Sequence, residues 1–298
     1  MRKPETTTLA KLAVAYSGLV WGLFWMPLRG LNHAGLSSLW SLMVFAGVPA
    51  VLALPVLAWR WRSFLADWRV LTLIGVTTAA PLALYGLALL ETGVIRAMML
   101  FYLTPVWATL LERVVLGQPI TAARAIGIVI AFAGMVVIFG TGGGLPLPRS
   151  GGDWAALAAG FGWAAATVVL RVKAGRAALD TMAQNLLWTT IVMIPLLALF
   201  GRADWPGLAL IAAQMWWLVP VIIAVVMTGV FTAMWGAPRL SPGIVGILYM
   251  TEISAGTVTA ALFSGEPFGL RELAGVALIT VAGIFETAVE ALGWRPAR

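Results

Sequence analysis

The chain has no cysteine, a single histidine and very few charged residues, and each shortage removes a class of function. Without cysteine there is no disulfide framework, no thiolate metal site and no redox switch. The one histidine, His33, falls in a short connector between apolar runs and reads as a loop residue. Neither HExxH, GxSxG nor a P-loop occurs, so zinc, serine and nucleotide-driven enzymology lack their parts. No two acids fall together in the middle of an apolar run, which leaves no paired carboxylates for acid–base work. The sequence therefore points away from an enzyme and implies no cofactor and no metal. Charge is scarce as well: 10% of residues are Asp, Glu, Lys or Arg, against about 25% in a soluble domain.

What remains is apolar. Hydrophobic residues make up 61% of the 298, and the mean hydropathy is +0.96. Apolar blocks of roughly 17 to 22 residues recur between Leu9 and Leu292, each suited to a helix crossing a ~30 Å hydrocarbon layer. The expected fold class is an all-α polytopic membrane protein with ten transmembrane helices. The spans fall near 9–28, 38–59, 70–90, 94–115, 122–140, 154–172, 181–200, 212–235, 242–264 and 272–292. Glu91, Thr92 and Gly93 separate the third span from the fourth, because a carboxylate and a glycine both disfavour an uninterrupted apolar helix. The basic-then-apolar start resembles a signal peptide, but no A-x-A-like site follows the first apolar run, so a retained first span is expected.

Basic residues set the expected orientation. With the N-terminus inside, the connectors facing the cytoplasm hold fourteen of the 19 Lys and Arg, including Arg60, Arg62, Arg69, Arg113, Arg124 and Arg171. The opposite side holds Arg29, Arg96, Arg149, Arg202 and Arg271. This bias places both termini in the cytoplasm of a bacterial inner membrane and accounts for the net charge of +7 without nucleic-acid binding. The partners expected are the lipid bilayer and a small-molecule substrate, with a homo-oligomer left open.

The midpoint carries the one stretch of linker composition, Gly-, Pro- and Ser-rich over 141–152. It divides the chain into repeats over 1–140 and 153–298. Gly117-Gln118-Pro119 is echoed by Gly265-Glu266-Pro267, and Gly127 by Gly275, at an offset of 148. Gly18, Trp21, Leu28 and Arg29 are echoed by Gly160, Trp163, Leu170 and Arg171 at an offset of 142. Five spans per copy make the second copy enter from the opposite face, an inverted repeat.

Phe101-Tyr102-Leu103-Thr104-Pro105, with the Gly-Gln-Pro and Gly-Glu-Pro turns, resembles the EamA-type repeats of the drug/metabolite transporter (DMT) superfamily. More narrowly, the aromatic-rich first, fourth and sixth spans look like the YddG-type bacterial aromatic amino-acid exporters. The resemblance implies ten helices, a central cavity walled mainly by spans 1, 3, 4, 6, 8 and 9, and export of amino acids by alternating access. One departure is Ile253 after Glu252, where relatives often carry proline, so the resemblance does not carry the kink of span 4 over to span 9.

Aromatics and one acid supply the candidate substrate-binding residues. Ten of the fifteen tryptophans fall near span ends, as an interfacial belt does. Trp21, Trp163 and Trp235 sit deeper, with Tyr85, Tyr102 and Tyr249, whose hydroxyls need a partner or a wet cavity. Met98 adds a pliable wall, and Thr104 a hydroxyl. Glu252, near the centre of span 9, costs ~2.5–3.5 kcal/mol at mid-bilayer unless it faces a cavity or a partner. It reads either as an ammonium or proton site or as a helix–helix hydrogen bond. Glu112 reads as a solvated interfacial acid. Pro105 interrupts span 4 as a candidate hinge, and its freed carbonyl near Phe101 needs a new donor. Pro81 and Pro220 are expected to interrupt spans 3 and 8. Gly18 and Gly22 form a G-x-x-x-G that reads as close helix packing. The function expected is export of aromatic and other neutral amino acids. An exporter of lipophilic cationic drugs using Glu252, and a non-transporting membrane scaffold, are the alternatives.

Overall fold

A computed structural model describes residues 4–92, 94–139, 148–200, 205–264 and 268–291. Among them every regular element is helical. Helices are the necessary outcome for so apolar a chain, since in lipid each N–H and C=O must be satisfied within its own segment. Eight helical segments among the described residues are long and apolar enough to cross a membrane, joined by the shorter apolar helix Ala122–Ile138.

The first span is α1 (Pro4–Trp21) and α2 (Trp25–His33), followed by α3 (Ser38–Trp59) and the short α4 (Trp61–Ala66). Next come α5 (Trp68–Glu91), the broken pair α6 (Val94–Phe101) and α7 (Thr104–Leu116), and α8 (Ala122–Phe139). The remainder holds α9 (Gly151–Val172), α10 (Ala178–Phe200), α11 (Leu208–Val221) and α12 (Thr228–Gly236). A second broken pair, α13 (Pro242–Tyr249) and α14 (Thr251–Ser264), precedes α15 (Leu270–Ala291). Between α11 and α12 a π-helical turn, Ile222–Met227, widens the helix.

The helices pack in matched pairs. α5 lies along α9, and α1 lies along α12; α3 pairs with α10, and α8 with α15. α6 and α7 cross α9 as α13 and α14 cross α1. Glycines permit the closest crossings, where backbones meet without side chains between them. A Cβ on Gly22 would come within 2.6 Å of the Glu252 carbonyl, and one on Gly160 would run into the Phe101 carbonyl. Gly134 and Gly275 seat α8 against α15 in the same way, each lying within 2.8 Å of the other's carbonyl were a Cβ added.

Several expectations change. Pro81 lies inside an unbroken α5 and does not interrupt its span, whereas Pro220 stands one residue before α11 gives way to the π-helical turn Ile222–Met227. α9 already begins at Gly151, with the Ser150 hydroxyl accepting from the Asp153 N–H at 3.1 Å, so the linker is shorter at this end than its composition suggests. The rest of that linker over 140–147 and the Gly265-Glu266-Pro267 turn lie outside the described residues. Glu112 is not solvated: it is 2% exposed and pairs with Arg124 at 2.9 Å. Arg124 also donates to Ser241 at 3.0 Å, and the Gly243 N–H donates to Glu112 at 3.0 Å. Gly243 has no side chain to hold α13 away, so the start of α13 comes down onto the pair.

Candidate transport cavity

The cavity forms where helices are interrupted. In the first span the turn Gly22–Phe24 uses tight bonds to the third residue back, Leu23 to Val20 and Phe24 to Trp21, each at 3.0 Å. This tilts Trp21 and Phe24 toward the interior, where both line the cavity. α6 stops at Phe101, and α7 restarts at Thr104 with Pro105 in its first turn, a position where proline sacrifices no helical hydrogen bond. The freed Phe101 carbonyl, buried against α9, accepts the Thr104 hydroxyl at 2.6 Å, which supplies the donor that the sequence required.

The second interruption falls at Met250, between α13 and α14, although no proline follows Glu252. Here the Thr251 hydroxyl satisfies the Leu248 carbonyl at 2.7 Å and reaches the Ala15 carbonyl at 3.1 Å. Span 9, where the resemblance left a kink open, is thus broken with a capping threonine in the place of proline. Glu252 thereby enters the first turn of α14 and reaches the cavity.

The cavity has a free volume of about 110 Å³ and a predominantly apolar lining. Of the residues singled out in the sequence, it brings together Trp21, Tyr85, Tyr102, Thr104, Trp163, Tyr249 and Glu252. Tyr85 stacks at a tilt on Phe101 with 4.5 Å between centroids, and Phe101 meets Tyr102 edge-on at 5.3 Å. Trp163 meets Tyr249 edge-on at 5.5 Å, and Tyr249 shares a 3.3 Å hydrogen bond with Ser17. All three tyrosine hydroxyls lie within electrostatic reach of the Glu252 carboxyl. The Tyr102 hydroxyl is buried beside the Glu252 carboxyl and makes no well-aligned hydrogen bond among the described residues.

Met98 and Trp235 stand outside the lining. Met98 is one turn from Tyr102 on α6 and packs against the core. Trp235 follows the lining residue Val230 by five positions, which turns it about 140° off that face. Its ring instead lies under the Arg239 guanidinium, 4.3 Å from the centroid, and its carbonyl accepts a hydrogen bond from the same arginine.

The wall also uses two spans that the resemblance leaves out. α3 supplies Leu42, Phe45, Ala46 and Pro49, and α10 supplies Asn185, Leu186, Thr189 and Met193. Asn185 is buried and donates to Thr78 of α5 at 3.0 Å, while the Thr189 hydroxyl donates to the Asn185 carbonyl at 2.7 Å. An amide in the middle of an apolar run was a visible signal for Asn185. Phe45 and Leu42 carried none, being indistinguishable from packing residues.

Glu252 is the one charged residue lining the cavity among the described residues. No group of His, Cys, Asp and Glu among them could hold a metal ion. Toward the end of the bundle where α3 finishes, Asp180 accepts from Arg60 and, at 2.7 Å, from Ser63, closing α10 onto the connector after α3. The Asp180 hydrogen bond raises the affinity of the Arg60 guanidinium for its proton.

Comparison with known proteins agrees with this architecture. Residues 8–140 match the EamA-like transporter family. The chloramphenicol-sensitive protein RarD of Pseudomonas aeruginosa is 28% identical over 91% of this chain and 87% of its own length. A protein of known crystal structure superposes with a TM-score of 0.74, covering 96% of this chain and 98% of the other at 20% identity, a likeness of fold. This multi-pass membrane chain therefore carries, over residues 8–140, a domain of the EamA-like transporter family, part of the drug/metabolite transporter superfamily.

Proposed function

We propose that the chain is a ten-span inner-membrane exporter of small amphipathic solutes, working by alternating access between two inverted five-helix halves. Aromatic and other neutral amino acids are the solute class. The observation that carries this reading is the central cavity, walled by aromatic rings from both halves and entered by the broken helices α6–α7 and α13–α14. A solute can be handed from one face to the other only if the two halves exchange roles. The paired packing supports that exchange: α5 with α9 mirrors α12 with α1, while α3 with α10 and α8 with α15 pair with themselves. The helix breaks at Tyr102 and Met250 keep the offset of 148 seen in the turn motifs.

Both termini face the cytoplasm in this reading, as the distribution of Lys and Arg directs. Pro105 packs beneath Gly246 at the crossing of α7 and α13, which suits it to act as a pivot between the broken helices. A second reading, export of lipophilic cations, is favoured by the lone carboxylate in the wall.

The absence of native cysteine makes the reading directly testable. In liposomes, a lone thiol introduced as Thr189→Cys is expected to react with an impermeant maleimide and to be protected by saturating phenylalanine. Thiols at His33→Cys and Ala177→Cys are expected to label from opposite sides. Labelling at Thr189→Cys that ignores every amphipathic solute would remove the cavity from the transport path.

A further inference from the structure

We infer that the cavity recognises its solute through an ammonium group held at Glu252 inside a cage of tyrosine rings, and that a free carboxylate on the solute weakens binding. The inference rests on the transport reading above, specifies which end of the solute the site holds, and ranks aromatic amines above the amino acids of that reading.

The charge count is the first argument. Among the described residues the lining offers one carboxylate and no lysine, arginine or histidine. A cationic solute brings the charge that this carboxylate lacks. A zwitterion brings the same cation together with a second anion, which finds no counter-charge in a site of low dielectric.

The rings are the second. Tyr85 from α5, Tyr102 from the α6–α7 break and Tyr249 from α13 line the cavity together with Glu252, with Phe101 and Trp163 backing them. Aromatic faces gathered around one point attract alkylammonium groups through their quadrupoles. The Tyr102 hydroxyl, beside Glu252, adds an oxygen with free lone pairs.

The third argument concerns hydrogens. A carboxylate is bound by donors, and the two threonine hydroxyls of the wall have spent theirs on neighbouring carbonyls. Thr104 donates to the Phe101 carbonyl, Thr189 donates to the Asn185 carbonyl, and one Asn185 amide hydrogen goes to Thr78. What the two threonines turn toward a solute is oxygen, which suits an ammonium and not an anion.

Three solutes with one phenyl ring separate these terms: phenethylamine (a cation), phenylalanine (a zwitterion) and 3-phenylpropionate (an anion). Binding to the purified full-length protein is measured by calorimetry at neutral pH. The expected order is phenethylamine tightest, phenylalanine weaker by roughly tenfold, and 3-phenylpropionate weakest, since each unbalanced or lost contact of this kind is worth about a factor of ten. Glu252→Gln is expected to weaken phenethylamine by roughly tenfold while changing phenylalanine by less than about threefold. Phenylalanine binding as tightly as phenethylamine, or competition by 3-phenylpropionate, would overturn the inference and leave the transport reading standing. Failure of all three to bind would overturn both. Should the variant not fold, the wild-type series decides alone.

Discussion

The two broken helices at the cavity, α6–α7 and α13–α14, part at corresponding places by different means. The first has Pro105 just after its break; the second has Ile253 at the corresponding position and breaks all the same. Shared by both are a threonine hydroxyl on the last freed carbonyl and a glycine on the crossing helix. Thr104 serves Phe101 opposite Gly160, and Thr251 serves Leu248 opposite Gly18. The comparison teaches that proline is not what breaks these helices. Close backbone approach fixes the crossing, and the hydroxyl makes the gap tolerable in lipid, where water is not at hand to do so.

That account can be broken most forcefully at the glycines. Gly160→Leu drives a side chain into the Phe101 backbone, and Gly18→Leu does the same at Tyr249, where even a Cβ would lie 3.3 Å from the Cα. Both are expected to abolish recovery of monodisperse protein, a loss of about 4 kcal/mol or more, which size-exclusion chromatography in detergent would reveal. A well-behaved Gly160→Leu protein would refute the close-approach explanation.

Glu112→Ala should rank next. It removes the carboxylate that balances the charge of Arg124, 6% exposed, beneath the start of α13, and loss of one partner in a buried ion pair costs about 3–5 kcal/mol. A marked drop in thermal unfolding temperature in detergent is the expected readout. Thr251→Val follows, removing the hydroxyl that serves the Leu248 carbonyl at the break, at about 1–3 kcal/mol. Thr104→Val should match it within experimental error if the two breaks are built alike. Pro105→Ala comes last. Because the residue occupies the first turn of α7, its removal is expected to shift stability by less than about 1 kcal/mol. Distance measurements between spin labels on α6 and α7 should show the break retained; a straightened helix would restore proline as its cause.

Most of the fold was legible in the sequence because span length and hydropathy report one simple demand, that the backbone be satisfied in oil. Legibility fell where polar residues pair through space. Glu112 looked interfacial because nothing local announces that Arg124, beyond a Gly-Gln-Pro turn, folds back over it. Trp235 and Met98 looked like cavity residues because depth along a helix was readable and the face was not. Asn185 and the α3 wall were missed for the opposite reason: the resemblance directed attention to other spans. Tyr102, Trp163 and Glu252 were findable because a tyrosine hydroxyl, an indole or a carboxylate deep in an apolar run demands an explanation, whereas Phe45 demands none.

The central claim is that solute crosses through this cavity, and occlusion tests it most directly. Gly86 lines the space and has room for a larger residue, since a Cβ there would meet only Leu42 at 3.5 Å. Flux of labelled phenylalanine and phenethylamine would be measured in proteoliposomes for the wild type and for Gly86→Phe. The account predicts saturable flux in the wild type and at least about a tenfold loss in a variant that still folds, the benzyl group filling the solute's place. Wild-type flux that persists undiminished in Gly86→Phe would contradict it.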